Sequence, residues 1–157
     1  MDQKKAAALP PLSTTLSLPA STPVLELDEL WSFVRTKEEP AWVWVALDRE
    51  TRQVVACVLG DRRQESCRYL WAQVPAPWRG ATCYSDFWEA YRAVIPDPQH
   101  VAVGKETGAT AHVERFNNTL RQRLGQFVRR TLSFSKCDEM HDARLRLFLH
   151  RYNLSLA

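Results

Sequence analysis

Nowhere in this 157-residue chain do 18 apolar residues follow one another unbroken, which excludes a helix of the kind that spans a bilayer. No CxxC pair occurs. None of Cys57, Cys67, Cys83 and Cys137 has a histidine beside it at metal-ligand spacing, which argues against structural zinc. Cys57 and Cys83 fall in apolar, strand-like runs and are expected to be buried thiols of a reducing cytosol. Internal repeats are missing too. The first 23 residues lack the unbroken apolar centre of a secretion signal, because Pro10, Pro11 and Pro19 interrupt it among serines and threonines. Residues 1–23 are therefore expected to form a disordered tail, followed by one domain over residues 24–157.

What is present is an ordinary globular composition, 45% apolar, with an uneven charge. Residues 1–104 hold 11 Lys and Arg against 13 Asp and Glu, whereas residues 105–157 hold 10 against 5. The C-terminal third is thus basic beneath a formal net charge of only +3, and one side of the fold is expected to face a polyanion. A solvated helix face would carry the same charge pattern.

Hydrophobic periodicity divides the chain. Residues 24–34 alternate and then run apolar, a strand, and WVWVALD (42–48) and QVVACVLG (53–60) read as two more. The polar link Arg49–Arg52 makes the latter pair an antiparallel hairpin. Residues 61–74 have a helical pattern that Pro75 and Pro77 stop, ATCYSD (81–86) is a short strand, and 87–95 a helix closed by Pro96. A strand at 100–104, a connector, a long helix at 111–130 and a second at about 138–153 complete the order. Ser135 and Asp138 have capping-box spacing for the last of these. Three antiparallel strands followed by alternating strands and helices indicate an α/β fold, a ribonuclease-H-like mixed sheet with helices on both faces. His141 and His150 belong to an amphipathic helix and are read as packing or surface residues. The six tryptophans are read as core and interface mass.

Three acids stand at positions where an unpaired carboxylate is costly. Asp28 lies in the strand VLELDELWSFV, Asp86 at the carboxyl end of ATCYSD, and Glu114 opens the arginine-rich helix. Side chains two apart on a strand share a face, so Glu26 competes with Asp28 for any role there, whereas Glu29 points the other way and is a poor partner. Asp86 sits at a strand end, where ligands gather in open α/β sheets, though it also suits the N-cap of a helix at Phe87. At roughly 100° per residue, Val113, Phe116, Leu120, Leu124, Phe127 and Val128 form one buried stripe, with Glu114 at its edge. Arg121 falls near Glu114 on the wheel, and Asn118 shares that flank. Glu114 could equally be a first-turn acid favoured by the helix dipole.

Together the three acids suit two hard divalent cations, Mg²⁺ or Mn²⁺, which prefer oxygen ligands and catalyse phosphodiester chemistry. Asp28 is the natural bridging ligand, with Asp86 and Glu114 each completing one shell. Arg115, Arg121, Arg123, Arg129 and Arg130 are placed to hold phosphates without reading bases.

LELDELW around Asp28, YSDFWEAY around Asp86, and VERFNNTLRQRL followed by RRTLSFSKCDEMHD resemble the catalytic part of bacterial insertion-sequence-one-family transposases. The resemblance runs from about residue 24 to the C-terminus. Its most specific part is Glu114, Arg115, Asn117, Leu120 and Arg121 with the run Leu132–Lys136. It implies an Asp-Asp-Glu triad of Asp28, Asp86 and Glu114. It also implies DNA contacts from Arg115, Asn118, Arg121, Arg123, Arg129, Arg130 and Lys136. The implied activity is metal-dependent cleavage at transposon ends and transfer of the freed 3′-ends into target DNA. The implied setting is the bacterial cytoplasm at the nucleoid, with DNA and a homo-oligomer or a frameshift-fused full-length transposase as partners.

The chain departs from that pattern in two ways. Residues 1–23 offer no zinc-binding or helix-turn-helix portion, so the chain looks like a second reading frame. The connector between Asp86 and Glu114 is a few residues longer than the family pattern. Two other readings stay open: a non-catalytic DNA-binding or assembly partner of the full-length enzyme, and a nuclease of the same fold that joins no ends.

Overall fold

The computed structural model describes residues 8–86, 88–124 and 138–156. Its centre is a five-stranded sheet built from β1 (Val24–Val34), β2 (Thr36–Asp48), β3 (Val54–Gly60), β4 (Thr82–Ser85) and β5 (His100–Ala102), in the order β3-β2-β1-β4-β5. β1 and β3 run antiparallel to β2, and β4 and β5 continue the sheet in parallel from β1. This is the mixed, ribonuclease-H-like sheet expected from the pattern. The helices are α1 (Gln64–Gln73), α2 (Glu89–Val94), α3 (Ala111–Arg123) and α4 (Asp138–Ser155).

Alternation along the strands separates two cores. Leu25 and Leu27 of β1, with Trp44 and Ala46 of β2, pack under α1 and α2 beside Leu70, Trp78 and Tyr91. Leu30, Val43, Val45 and Leu47 face the other way, onto Val113, Phe116 and Leu120 of α3 and Leu145 and Leu149 of α4. The sheet is covered on both faces, and each covering helix presents its apolar stripe inward. Burial of such apolar area, at about 25 cal/mol per Å², is the main force that holds the layers together.

The differences from the sequence pattern have local causes. β2 begins at Thr36, ahead of the expected Trp42, because its polar start pairs with the end of β1 (Phe33 opposite Pro40) although the segment is exposed. Pro40 is tolerated there since the β3 ladder starts only at Trp42, leaving that edge open. α2 starts at Glu89 rather than Phe87, and the Asp86 carboxylate accepts the Trp88 N–H at 2.9 Å before the helix begins. Where a tail was expected, residues 8–23 have a defined path. A single 3₁₀ turn at Leu12–Thr15 lays Leu12 on one core, and Leu16 packs on the other. Ser17 N donates to Gln53 Oε1 at 2.6 Å, and His150 Nε2 lies 2.8 Å from the Pro10 carbonyl. Ser135, expected as a helix cap, lies outside the described residues.

His141 and His150 are packing residues. His141 is fully buried with Nε2 2.9 Å from Ser32 Oγ, and His150 is nearly so. Cys67 and Cys83 are buried and Cys57 half-buried; burial raises all three thiols, Cys67 and Cys83 to about 12. Such raised values leave little thiolate, which disfavours nucleophilic reactivity.

Candidate metal centre

Strand register brings two of the three acids together. β1 pairs with β4 only at Val24, Leu25 and Glu26, opposite Thr82, Cys83 and Tyr84. Two further steps in that register set Asp28 level with Asp86, where β4 has ended and the edge of β1 is open. Carboxylate oxygens of Asp28, Glu29 and Asp86 lie within 4.8 Å of one another, a spacing that can hold a metal ion.

Glu29 enters this group from the opposite face. Alternation does send it toward α2, where its Oε2 accepts the Tyr91 hydroxyl at 2.6 Å and its Oε1 accepts Arg62 at 3.1 and 3.2 Å. With β4 no longer bonded to β1 beyond Glu26, while β2 continues on the other side, side chains from both faces can meet around the edge left open. Strand alternation alone missed this, because the shortness of β4 decides it.

Glu114 stands on α3, across the same opening. A pocket of about 270 Å³ is lined by Asp28, Glu29, Glu114, Asn117, Arg121 and Lys105, with Trp31 and Trp42 at its side. Glu114 Oε1 accepts the Thr110 hydroxyl at 3.1 Å, and the residue faces the carboxylates from the pocket wall rather than from within their tight group. Of the stripe that sets its phase, Val113, Phe116 and Leu120 are buried, Leu124 is half-buried just past the end of α3, and Phe127 and Val128 lie outside the described residues.

Glu26, the competitor of Asp28, is committed elsewhere. It is fully buried, and its Oε1 accepts the N–H groups of His112 and Val113 at 2.9 and 3.1 Å, two of the four that the start of α3 leaves unpaired. Its Oε2 accepts Arg49 Nε at 2.9 Å and lies 2.7 Å from His112 Nδ1. The residue fixes α3 to β1 and thereby sets the position of Glu114.

The electrostatics of Asp28 fit a cation. Burial, and then the Glu29 carboxylate, push its carboxyl up to about 7, with Asp86 adding to the rise and Lys105 opposing it. A divalent ion amid these oxygens offsets both causes. Oxygen donors without sulfur or imidazole match Mg²⁺ or Mn²⁺ better than zinc. Asn117 Nδ2 donates to Asp28 Oδ2 at 2.9 Å.

Of the polar and basic residues expected to meet DNA, Asn118 and Arg121 line this pocket, and Arg121 Nη1 donates to Asn118 Oδ1 at 3.4 Å. Arg115 and Arg123 are exposed elsewhere on α3, Arg123 in a separate groove with Arg144, Phe148 and Arg151 of α4. Arg129, Arg130 and Lys136 lie outside the described residues. Lys105, Trp31 and Trp42 line the pocket without having been singled out for it; the two tryptophans are a cross-strand pair. Arg62, which holds Glu29, stacks over the rings of Trp42 at 4.8 Å and Trp88 at 4.3 Å.

Residues 23–154 match the sequence family described as IS1 transposase. The chain is 36% identical over 129 residues to the insertion element iso-IS1n protein InsB of Shigella dysenteriae, covering 82% of this chain and 95% of that protein. It is 33% identical over 137 residues to the IS1 4 protein InsB of Escherichia coli (strain K12), covering 85% of this chain and 80% of that protein. With the IS1 protein InsB of Shigella flexneri the identity is 35% over 117 residues, 74% of this chain and 86% of that protein. A family match along most of the chain, on a ribonuclease-H-like sheet with acids gathered at its open edge, makes this chain a member of the IS1 transposase family.

Proposed function

We propose that this chain is a transposase catalytic domain in which Asp28, Asp86 and Glu114 form a metal-binding triad. Its chemistry is cleavage of phosphodiesters at transposon ends and transfer of the 3′-ends into target DNA. The observation that carries the reading is the grouping of Asp28 with Asp86 at the open edge of β1, with Glu114 on the facing wall of one pocket. Two divalent cations of the Mg²⁺ or Mn²⁺ type, when bound, activate a water or a sugar 3′-hydroxyl and stabilise the leaving oxygen.

The chain's own residues do the rest. Asp28, held by Asn117, would be the central carboxylate for the cations, with Asp86 at the end of β4 and Glu114 on α3 completing the set. Lys105 and Arg121 on the pocket lining, with Arg115, Asn118 and Arg123 on α3, grip phosphates of a DNA backbone. Arg129, Arg130 and Lys136, outside the described residues, are proposed to add phosphate contacts of the same kind. The bacterial cytoplasm, at the nucleoid, is the compartment where this substrate is met, and a homo-oligomer or a frameshift-fused full-length transposase is the assembly in which the chain acts.

The test is strand transfer from pre-cleaved transposon ends with Mg²⁺ or Mn²⁺. Asp28→Ala, Asp86→Ala and Glu114→Ala are expected to abolish joined products while circular dichroism stays native. Full strand transfer by any one variant removes that residue from the triad. Cleavage without joined products by the wild-type chain would support the nuclease reading instead.

A further inference from the structure

Asn117 carries a buried oxygen that the fold itself does not use. The residue is 3% exposed, and its Nδ2 is spent on Asp28 Oδ2 at 2.9 Å. Its Oδ1 is buried, and among the described residues nothing donates a hydrogen bond to it. Beside a bound cation Asp28 is ionised, and a carboxylate accepts but cannot donate, so the amide turns its nitrogen to Asp28 and leaves Oδ1 for another partner. A buried acceptor without a partner is destabilising, a penalty that an arriving donor or cation removes. The same residue lines the pocket that holds Asp28, Glu29 and Glu114, one helical turn after Glu114 on α3.

We infer that Asn117 is a further residue of the metal centre: it orients Asp28 through Nδ2 and offers Oδ1 as a neutral oxygen to a divalent cation or to one of its waters. This rests on the metal-binding reading of Asp28. Amide oxygens serve hard cations as ligands beside carboxylates, and a neutral donor adds no repulsion to a cluster already holding three acids. Its place on α3 also joins the two halves of the site, since one helix then carries both Glu114 and the clamp on the strand acid.

The experiment is Mn²⁺ binding to the full chain by calorimetry, with the melting temperature of the metal-free protein measured alongside. Asn117→Leu, close in size and without polar atoms, is expected to weaken Mn²⁺ binding about tenfold or more, as lost supporting contacts at metal sites do. Its metal-free melting temperature is expected to stay near that of the wild type, which a purely structural residue would not allow. Asn117→Ser serves as the second variant where leucine is not accommodated, and the same loss is expected. Asp28→Ala separates the two levels. If it binds Mn²⁺ like the wild type, the metal-binding reading of Asp28 fails and the inference with it. If it loses binding while both Asn117 variants match the wild type, the inference alone is overturned.

Discussion

The hydroxyl of Tyr91 donates to Glu29 Oε2 at 2.6 Å, so a residue of α2 holds a β1 carboxylate against the carboxylates of Asp28 and Asp86. Tyr91 is fully buried, and burial together with the negative charge of Glu29 pushes its phenol well above the ordinary value, keeping it a donor. Arg62 neutralises the other oxygen while stacked between Trp42 and Trp88. Removing the hydroxyl with Tyr91→Phe is expected to cost about 1.5–3 kcal/mol, the range for hydrogen bonds to charged groups. Urea unfolding measures it, and Glu29→Gln combined with Tyr91→Phe in a double-mutant cycle isolates the coupling. Additive losses would show that the pair does not interact.

Asp28 makes the stability of the metal-free protein depend on pH. Its folded carboxyl stands at about 7, above the ordinary 3.8, chiefly through burial and then through Glu29. The folded chain therefore keeps a proton that the unfolded chain has already released. The contribution is fully present below the unfolded value and is lost as pH rises through the folded one. Between about pH 5 and pH 8 this one group is expected to remove about 2–3 kcal/mol. Asp28→Asn should flatten that part of the profile in chelator-treated protein, and Mg²⁺ should restore wild-type stability at the higher pH. Equal slopes in wild type and variant would sink the prediction.

Glu26→Ala is expected to damage the fold rather than the chemistry directly. It strips the buried acceptor from the N–H groups of His112 and Val113 and leaves Arg49 and His112 facing an empty space. Arg49 and His112 are part-exposed and regain water, so the loss comes chiefly from the unpaired N–H groups, about 1–3 kcal/mol each, still a large part of a small domain's stability. A lowered urea midpoint, together with loss of α3 amide protection in hydrogen exchange, is the expected result. By contrast Glu114→Ala, on the same helix but bonded only to Thr110 among the described residues, should leave the midpoint nearly unchanged.

These residues show what can be read along a chain and what cannot. The span of β1 is legible because a half-buried strand writes its two faces as alternation, and Leu25, Leu27 and Leu30 fall on the faces their spacing assigns. The buried stripe of α3 is legible for the same reason at helical period. Glu26 and Asp28 share a face and differ only by what lies opposite, the helix start in one case and the pocket in the other. Those partners are more than eighty residues away in sequence, so composition and period could not separate the two roles. Glu29 was misjudged because alternation says which face a side chain leaves from, not whether a neighbouring strand closes the edge. Asn117 gave a faint signal, three residues beyond Glu114 on the side of the apolar stripe, where a polar residue must find a partner in the protein. The acids at strand and helix ends were the readable part of the site, and their mutual distances were set by the sheet.

Salt dependence checks the DNA-binding surface independently of catalysis. Arg115 and Arg123 are exposed on α3, away from the buried stripe, so their replacement should not disturb the core. Each phosphate contact releases counterions, so log K for DNA falls with log salt in proportion to the contacts made. Arg115→Ala and Arg123→Ala are each expected to reduce that slope by about one and to weaken binding similarly for all DNA sequences. Fluorescence anisotropy with a labelled duplex across a salt series reads both quantities. Unchanged slopes in the double variant would place the phosphate contacts elsewhere on the chain. Because neither residue lines the carboxylate pocket, Mn²⁺ affinity of the DNA-free protein should stay at the wild-type value, which separates weaker DNA grip from a damaged metal centre.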